Sequence, residues 1–303
     1  MPAEKSHALY YSEYRIQNMS TTDHNVFICG CVRNCETHLD DAFQTIQLLQ
    51  SLFAETHIIM AYDDSGDNTL SKLTKYKETF GDKMTILLNR KPLSSIRTEN
   101  IANARNSLIR KMRELKNGDS DDFEYFIMMD MDNACDHALD LDVIRRTFQK
   151  SGKWDAISFN RPGYYDAWAL SISPYIYSCW GWHDPGPVIQ NMREYVTDKL
   201  NGLAKDELLE CRSAFNGFAI YKTDPFLQCT YSWRMPKQYM SSDELQENYQ
   251  SLNFMGTHSD LNSQTNEPDC EHRAFHMEAV AEYGAKIRIS PEMAFPYAVG
   301  GHI

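Results

Sequence analysis

Short apolar runs alternate with amphipathic segments along the first half of the chain. Each run has the length of a buried strand and is followed by polar or turn-forming residues. They predict strands at Val26 to Val32, His57 to Tyr62, Met84 to Leu88 and Tyr125 to Met129. The segments between them repeat apolar residues at helical spacing and predict helices at Leu39 to Phe53, Asn68 to Phe80 and Thr98 to Leu115. This alternation predicts an α/β fold with a mostly parallel, Rossmann-like central sheet flanked by helices.

The second half is less regular. Strands are expected at Trp154 to Phe159, Ser213 to Tyr221 and Lys286 to Ser290, and a helix is expected to open near Asp269. The middle one of these strands is entered through Asn216-Gly217, a dipeptide typical of tight turns. The stretch Tyr175 to Pro187 is rich in aromatic residues, which serve either as a platform for the apolar faces of sugars or as core.

Composition favours a soluble globular protein. Hydrophobic residues make up 42% of the 303 residues, and the mean hydropathy is −0.53. No apolar run reaches about 18 residues, so no membrane span is expected. Residues 1–22 are polar and lack the apolar core of a signal peptide, which predicts a tail or strap followed by a single domain over 23–303. A cytoplasmic, bacterial or virus-encoded protein is therefore expected.

Charge and cysteine usage exclude two classes of function. The net charge of −12 argues against nucleic acid as a partner, because such binding depends on basic patches. An anionic ligand must therefore be held by local arginines and a cation. The eight cysteines show no zinc-ligand spacing, so buried reduced thiols are expected.

Polar clusters follow three of the predicted strands. Arg33-Asn34 follows the first strand, Asp63-Asp64-Ser65 the second and Asp130-Met131-Asp132 the fourth. The carboxyl ends of parallel strands lie at one edge of a sheet, where ligands of α/β proteins bind. The topology alone therefore predicts that these clusters converge.

Asp130 and Asp132 are the most informative residues of the chain. Residues at i and i+2 of a strand point to one face, so both carboxylates can meet a single hard cation that bridges the phosphates of a nucleotide. The arrangement resembles the Asp-x-Asp signature of GT-A glycosyltransferases, which use nucleotide-sugar donors. The alternative is a solvated turn.

An ordered set of short motifs resembles the cryptococcal capsule mannosyltransferase family, a GT-A-like group, over residues 26–298. The motifs are Arg33-Asn34-Cys35-Glu36, Ser65-Gly66-Asp67-Asn68-Thr69, Arg97 with Ile101-Ala102 and Arg105-Asn106, Asp155-Ala156 with Tyr165-Asp166-Ala167-Trp168, Asn216-Gly217 through Phe226, Asp269-Cys270 and Ile289-Ser290-Pro291. The family has Asn-Asp-Val after strand four, where this chain has Asp130-Met131-Asp132. This departure leaves the donor sugar and the linkage undetermined.

The resemblance and the strand-end clusters together predict a donor site. Mn²⁺ or Mg²⁺ is the expected cofactor, with Asp132 as a direct ligand, Asp130 on the metal or the ribose, and His302 or His272 competing for a third position. Arg33, Arg97 and Arg105 are expected at the donor phosphates and sugar, and Asp64 at the nucleoside. The alternatives are a salt bridge from Arg105 to Asp130 or a neighbour, and a capped turn at Asp64.

Three carboxylates are expected at the reacting centre: Asp269, Glu271 and Asp166. In an inverting enzyme one of them would be the general base for the acceptor hydroxyl. In a retaining enzyme, which the resemblance implies, a carboxylate would stabilise an oxocarbenium-like state. Helix capping by Asp269 or Glu271, and a core hydrogen bond from Asp166, are the alternatives.

The sequence therefore predicts a metal-dependent glycosyltransferase, a hexosyl- or pentosyltransferase. It would move a sugar from a GDP- or UDP-sugar to a glycan or other hydroxyl acceptor, with retention. Two alternatives remain: a catalytically inactive sugar-binding module, and a nucleotidyltransferase or phosphohydrolase on a similar sheet. The segment after strand one lacks the glycine-rich phosphate loop typical of the last class. Oligomeric state is left open.

Overall fold

Eight strands form one central sheet in the computed structural model, which describes residues 22–89, 91–118, 122–135, 139–176, 185–204, 206–254, 268–297 and 299. The strands are β1 (Asn25–Val32), β2 (Glu55–Tyr62), β3 (Met84–Leu88), β4 (Phe123–Asp130), β5 (Ala156–Phe159), β6 (Leu209–Cys211), β7 (Phe218–Lys222) and β8 (Ile287–Ser290). Their order across the sheet is β3-β2-β1-β4-β7-β5-β8-β6. All pairings are parallel except those of β7 with β4 and β5 and of β6 with β8.

Helices connect the strands and cover both faces of the sheet. They are α1 (Leu39–Gln50), α2 (Thr69–Phe80), α3 (Arg97–Lys116), α4 (Leu141–Gln149), α5 (Pro185–Asn201), α6 (Thr223–Phe226), α7 (Ser242–Phe254) and α8 (Glu271–Tyr283). Short 3₁₀ turns occupy Gly81–Lys83, Ser151–Lys153 and Lys237–Tyr239. This architecture confirms the predicted α/β fold with a mostly parallel central sheet flanked by helices.

The core is split by the sheet into two apolar layers. Phe27 and Cys29 of β1 lie in one layer together with apolar residues of α3, α5 and α8. The alternate residues Val26 and Ile28 lie in the other layer with those of α1, α2 and α4. A strand that is apolar on both faces reads as a continuous hydrophobic run, which explains why β1, β2 and β4 were recognisable in the sequence.

Differences from the sequence-based expectations lie in the second half. The strand expected at Ser213 to Tyr221 begins at Phe218, after the turn at Asn216 (φ 56°) and Gly217 (φ 82°). Helices α4 and α5 and strand β6 were not anticipated. The predicted tail 1–22, apart from Thr22, and most of the aromatic stretch Tyr175 to Pro187 lie outside the described residues.

Two observations on the described residues concern membrane spans and cysteines. No helix there is long and apolar enough to cross a membrane. The described cysteines are all free, and every one except Cys31 is buried. Burial raises the thiol pKa of Cys35 to about 11.

The antiparallel strand β7 has a consequence for the carboxyl edge of the sheet. Because β7 runs against β4 and β5, its amino end lies beside the carboxyl ends of those strands. Asn216-Gly217 is thereby brought next to Asp130, the last residue of β4, whose backbone N–H donates to Gly217 O at 2.9 Å. The loop after β5, which contains Asp166, opens at the same edge.

Candidate functional site

The loops after β1 and β2 are joined by hydrogen bonds. Asn34 N donates to Ser65 Oγ at 3.1 Å, and Gly66 N donates to Asn34 Oδ1 at 2.8 Å. Glu36 N donates to Asp67 Oδ2 at 3.1 Å. Asn34 takes a positive φ of 53°, which Asn tolerates better than most residues. The first two motifs of the sequence therefore fasten two loops to each other at the rim of the carboxyl edge.

The loop after β4 places the two aspartates. A Cβ on Gly217 would lie 3.1 Å from Ala134 Cβ and 3.6 Å from Asp130 Oδ2, so the turn approaches this loop closely. Asp132 Oδ1 accepts a hydrogen bond from Ala134 N at 3.0 Å. Arg161, which is buried, donates to Ala134 O at 2.6 Å. The loop that carries Asp130 and Asp132 is thus fixed from two sides.

A cleft of about 220 Å³ lies between this loop, the ends of β1 and β2, and helix α3. It brings together five of the residues predicted from the sequence: Arg33, Arg97, Arg105, Asp130 and Asp132. The other lining residues are Cys31, Val32, Asn34, Cys35, Asp63, Asn100, Ile101, Ala104 and Met131. Basic and acidic groups therefore face one another across a small polar cleft.

Asp63, not Asp64, lines the cleft. Asp63 is 7% exposed, and its Oδ1 accepts a hydrogen bond from Asn89 Nδ2 at 2.7 Å. Asp64 is exposed and offers its backbone carbonyl to Arg33 Nε at 3.3 Å. The sequence carried a signal for this, because Asp63 continues the alternation of β2 on the face of Ala61, the face that packs against α3.

Arg105 is the most buried basic group of the cleft, with 6% of its side chain exposed. Its Nη2 donates to Asp130 Oδ1 at 3.2 Å, and its Nη1 lies 2.8 Å from Glu271 Oε1. The guanidinium carbon lies 4.7 Å from the ring centre of Phe215 and 5.8 Å from that of Tyr231. Within the described part of the chain, no acceptor bonds to Nε of Arg105. The salt bridge to Asp130, one of the alternatives from the sequence, is present.

The electrostatics of Asp130 fit a cation site. Burial, followed by the neighbouring carboxylate of Asp132, raises the pKa of Asp130 to about 8, although Arg105 opposes the shift. No group of three His, Cys, Asp or Glu side chains suited to a metal occurs among the residues that the structure describes. Two carboxylates fit a Mg²⁺- or Mn²⁺-type ion that takes its remaining oxygens from a ligand and water.

Of the three carboxylates expected at the reacting centre, Asp269 is sealed. It is 0% exposed, its Oδ2 accepts from Arg273 Nε at 3.1 Å, and its Oδ1 accepts from Cys270 N at 2.7 Å. This arrangement argues against the expectation that Asp269 faces an acceptor. Asp269 instead bonds to residues at the start of α8, which resembles the helix capping that was the alternative from the sequence.

Glu271 and Asp166 do not line the cleft, but contacts connect each of them to a residue that does. Glu271 has 5% of its side chain exposed and sits behind Arg105. Asp166 is half-buried, its N–H donates to Asn216 Oδ1 at 2.9 Å, and its Oδ1 accepts from Ala169 N at 3.1 Å. Burial raises the pKa of Asp166, and the nearby Glu271 adds to that rise. Asn216-Gly217 therefore bridges Asp166 and Asp130 through adjacent hydrogen bonds.

The two histidines considered for a third metal position differ. His302 lies outside the described residues. His272 is 1% exposed and stacks on Phe215 with ring centres 3.9 Å apart. Burial, with Arg105 and His276 nearby, holds the pKa of His272 well below its usual value, so the ring is neutral. It does not line the cleft.

No protein-family model matches the chain, and no curated protein matches it in sequence. Among solved structures, residues 1–349 of Staphylococcus aureus TarS match with 12% identity and a TM-score of 0.45, covering 91% of this chain and 60% of that one. Mannosyltransferase PcManGT from Pyrobaculum calidifontis, in complex with GDP-Man and Mn²⁺, matches with 13% identity and a TM-score of 0.44, covering 97% and 65%.

Glucosyl-3-phosphoglycerate synthase from Mycobacterium tuberculosis, in complex with Mg²⁺ and UDP, also matches. Its identity is 8% and its TM-score 0.45, with 92% of this chain and 73% of that one covered. The chain thus spans about 60% of the length of the TarS fragment. Identities and TM-scores this low assign no activity to the chain, and the resemblance to the capsule mannosyltransferases stays a prediction.

Proposed function

We propose that this protein is a metal-dependent glycosyltransferase of the GT-A type. It would transfer a sugar from a nucleotide diphosphate donor, a GDP- or UDP-sugar, to a hydroxyl group of a glycan or another acceptor. The observation that carries the proposal is the cleft at the carboxyl edge. There Asp130 and Asp132 face Arg33, Arg97 and Arg105 in a space of about 220 Å³.

Asp130 and Asp132 would hold the cation. When bound, a divalent cation neutralises charge on the diphosphate leaving group, which is Lewis-acid catalysis of its departure. The loop contacts to Gly217 and Ala134 would keep the two carboxylates in place. Because such an ion prefers six or more oxygen ligands, the donor and water would complete its coordination.

The arginines would bind the donor from the other wall of the cleft. Arg97 is exposed at the first turn of α3, and no described residue forms a hydrogen bond or ion pair with it. Arg33 is exposed at the end of β1 and uses only its Nε, toward Asp64 O. Both are therefore available to phosphate oxygens, which guanidinium groups bind in a bidentate manner.

Asp63 and Asp64 would lie at the nucleoside. Asp63 keeps a carboxylate oxygen beyond the one bonded to Asn89, and a carboxylate can accept hydrogen bonds from a base or a ribose. Asp64, the residue expected from the sequence, would contribute from the exposed rim.

Asp166 is our choice for the carboxylate at the reacting centre, because it is the most exposed of the three candidates. It would act as general base in an inverting reaction or stabilise the oxocarbenium-like state in a retaining one, the outcome that the resemblance implies. Glu271 would act indirectly, through its ion pair with Arg105. Asp269 would have a structural role at the start of α8.

A donor screen tests the proposal. UDP-, GDP-, dTDP- and CMP-sugars are each tested with and without Mn²⁺, and both thermal stabilisation and hydrolysis are measured. We expect one donor to stabilise the protein and to be hydrolysed slowly only with Mn²⁺. Asp132→Asn should abolish hydrolysis with an unchanged melting temperature. Asp82→Asn, at an exposed site in the 3₁₀ turn before β3 that does not line the cleft, should change neither.

Other outcomes point to other functions. An active Asp132→Asn enzyme would remove the metal role. Binding of a glycan without consumption of any nucleotide sugar would indicate a sugar-binding module. Silence across the whole panel, with Mn²⁺ alone also inert, would reject the transferase proposal.

A further inference from the structure

Two carboxylates and two aromatic rings surround Arg105, and neither Arg33 nor Arg97 has contacts of this kind among the described residues. Carboxylates of Asp130 and Glu271 contact its Nη atoms. The rings of Phe215 and Tyr231 lie against its guanidinium carbon at 4.7 and 5.8 Å. A guanidinium over an aromatic face is stabilised by cation–π attraction, and the rings restrict its rotation.

Tyr231 belongs to an irregular segment, so secondary structure does not fix its position. It lies between the short helix α6 and the 3₁₀ turn Lys237–Tyr239. Its ring is buried at 2% exposure, yet its hydroxyl has no hydrogen-bond partner among the residues that the structure describes. The ring stacks on Phe275 with ring centres 3.9 Å apart, so the placement of the Tyr231 backbone is what remains to be set.

Asn106, the residue after Arg105 on α3, supplies that placement. Its Nδ2 donates to Tyr231 O at 2.9 Å, and its Oδ1 accepts from Tyr231 N at 2.9 Å. This reciprocal pair satisfies both backbone groups of Tyr231. A side-chain amide is the group that can supply one donor and one acceptor at once.

We propose that Asn106 is a positioning residue for Arg105. By fixing the backbone of Tyr231 it holds that ring against the guanidinium, which keeps Arg105 aimed into the cleft at the diphosphate of the donor. The inference deepens the proposed function and rests on it, since it assigns Arg105 to the leaving group. The two residues of the Arg105-Asn106 motif then have separate roles: Arg105 contacts the donor, and Asn106 fixes the backbone of Tyr231.

A second anchor of the same segment provides a matched control. Arg113, two helical turns further along α3, donates to Leu227 O, and also to Cys229 O at 3.2 Å. Its contacts hold the segment before Tyr231 without touching that residue. Arg113→Met therefore loosens the segment, whereas Asn106→Ala releases Tyr231 itself.

The first test measures the accessibility of Arg105 and needs no donor. The folded protein is treated with phenylglyoxal, and the modified arginines are mapped by mass spectrometry, with the exposed Arg110 as internal reference. Asn106→Ala should increase the modification rate of Arg105 at least about fivefold, as expected when a restraint of ordinary strength is lost. Arg113→Met should leave that rate unchanged.

A second variant keeps the proposal testable if Asn106→Ala does not fold. Tyr231→Leu keeps the backbone pair with Asn106 and removes the ring, so it should also speed the modification of Arg105. Unchanged modification in both variants, or an equal increase in Arg113→Met, would overturn the positioning role.

The second test uses the donor identified in the screen. Asn106→Ala should lower kcat/KM for the donor by about tenfold and leave KM for the acceptor unchanged. Combined with Arg105→Lys it should cost no more than Arg105→Lys alone, because both changes act through one group. Additive losses would overturn the proposal. A wild-type protein that consumes no donor would reject the proposed function, while the modification rates would still decide the positioning role.

Discussion

Two buried arginines, Arg105 and Arg273, each pair with an acidic residue at the start of α8, yet their surroundings differ. Arg273 is 0% exposed, contacts Asp269 through Nε at 3.1 Å, and donates to Leu170 O and Ile176 O. All parts of its guanidinium are bonded within the protein. Arg105 pairs with Glu271 and faces a cleft, and none of the described residues offers an acceptor to its Nε.

The difference separates a structural ion pair from a group that can bind a ligand. Burying a charge is costly unless every donor finds a partner, and Arg273 meets that requirement by fastening the chain around Leu170 and Ile176 to α8. Arg105 meets it only in part and lies beside the space where an anion would bind. A buried arginine at a cleft with an unbonded donor is therefore a better sign of ligand binding than a buried arginine whose donors are all bonded.

The largest expected effect lies on the sealed side. Asp269→Asn leaves Arg273 buried without its counter-charge, so the free energy of unfolding should fall by about 3–5 kcal/mol. Urea denaturation measures this loss. Glu271→Gln is the matched change at the cleft, and it should cost about 1 kcal/mol because Arg105 keeps Asp130. Equal losses would show that both pairs serve the fold alike.

A substitution of Arg105 should affect activity more than stability. Arg105→Lys keeps the charge, but one ammonium cannot span Asp130 and Glu271 or present a planar fork to phosphate. We expect kcat/KM for the donor to fall by about 100-fold, while the free energy of unfolding falls by less than in Asp269→Asn, because the lysine keeps a charge beside one of the two carboxylates. Arg110→Lys, on the exposed surface of α3, serves as control. A stability loss as large as that of Asp269→Asn would contradict a ligand-binding role.

The strands of the first half and the cleft residues were predictable for one reason. Buried parallel strands are apolar on both faces, and their carboxyl ends must meet at one edge. Those two facts place Arg33, Asp130 and Asp132 together before any side chain is seen. The tight turn at Asn216-Gly217 was also predicted, because few dipeptides accept two positive φ values in succession.

The features that the sequence did not indicate depend on the direction of single side chains or on pairing across the chain. Asp63 and Asp64 differ only in the face to which each points, and a shift of one residue exchanges them. Asp269 and Glu271 both open α8, but only the structure reveals that Arg273, one helical turn later, takes the first. The insertion of β7 between β4 and β5 is likewise a long-range pairing that local patterns do not encode.

The interior and the cleft should contribute pH effects of opposite sign. The raised pKa of Asp130 favours the folded protein as the pH falls, whereas the lowered pKa of a buried histidine disfavours it. His276 is 0% exposed between Ser213 Oγ at 2.9 Å and Tyr221 OH at 3.0 Å. Burial, with Arg105 nearby, lowers the pKa of His276 to about 3, so the unfolded chain binds a proton below about pH 6.5 that the folded protein refuses. Stability is therefore fully present above that pH and lost as pH falls toward 3.

Between pH 7 and pH 5 this linkage should cost about 2 kcal/mol of unfolding free energy. His276→Gln keeps a donor and an acceptor without the titration, so its stability should fall less steeply over the same range. Denaturation curves at the two pH values measure the slope difference. Identical slopes would assign the acid sensitivity to other groups, of which buried His272 has the same sign.

The smallest loss of stability is expected at Asn34, an uncharged residue of the cleft wall that takes no part in the ion pairs of Arg105 or Arg273. Asn34→Gly keeps the positive φ of 53° but removes the bond from Gly66 N, so the free energy of unfolding should fall by about 1 kcal/mol. Asn34→Ala loses the same bond and adds strain at positive φ, which costs about 1 kcal/mol more. Chemical denaturation of both variants separates the two terms, and a Gly variant as unstable as the Ala variant would leave the strain without support.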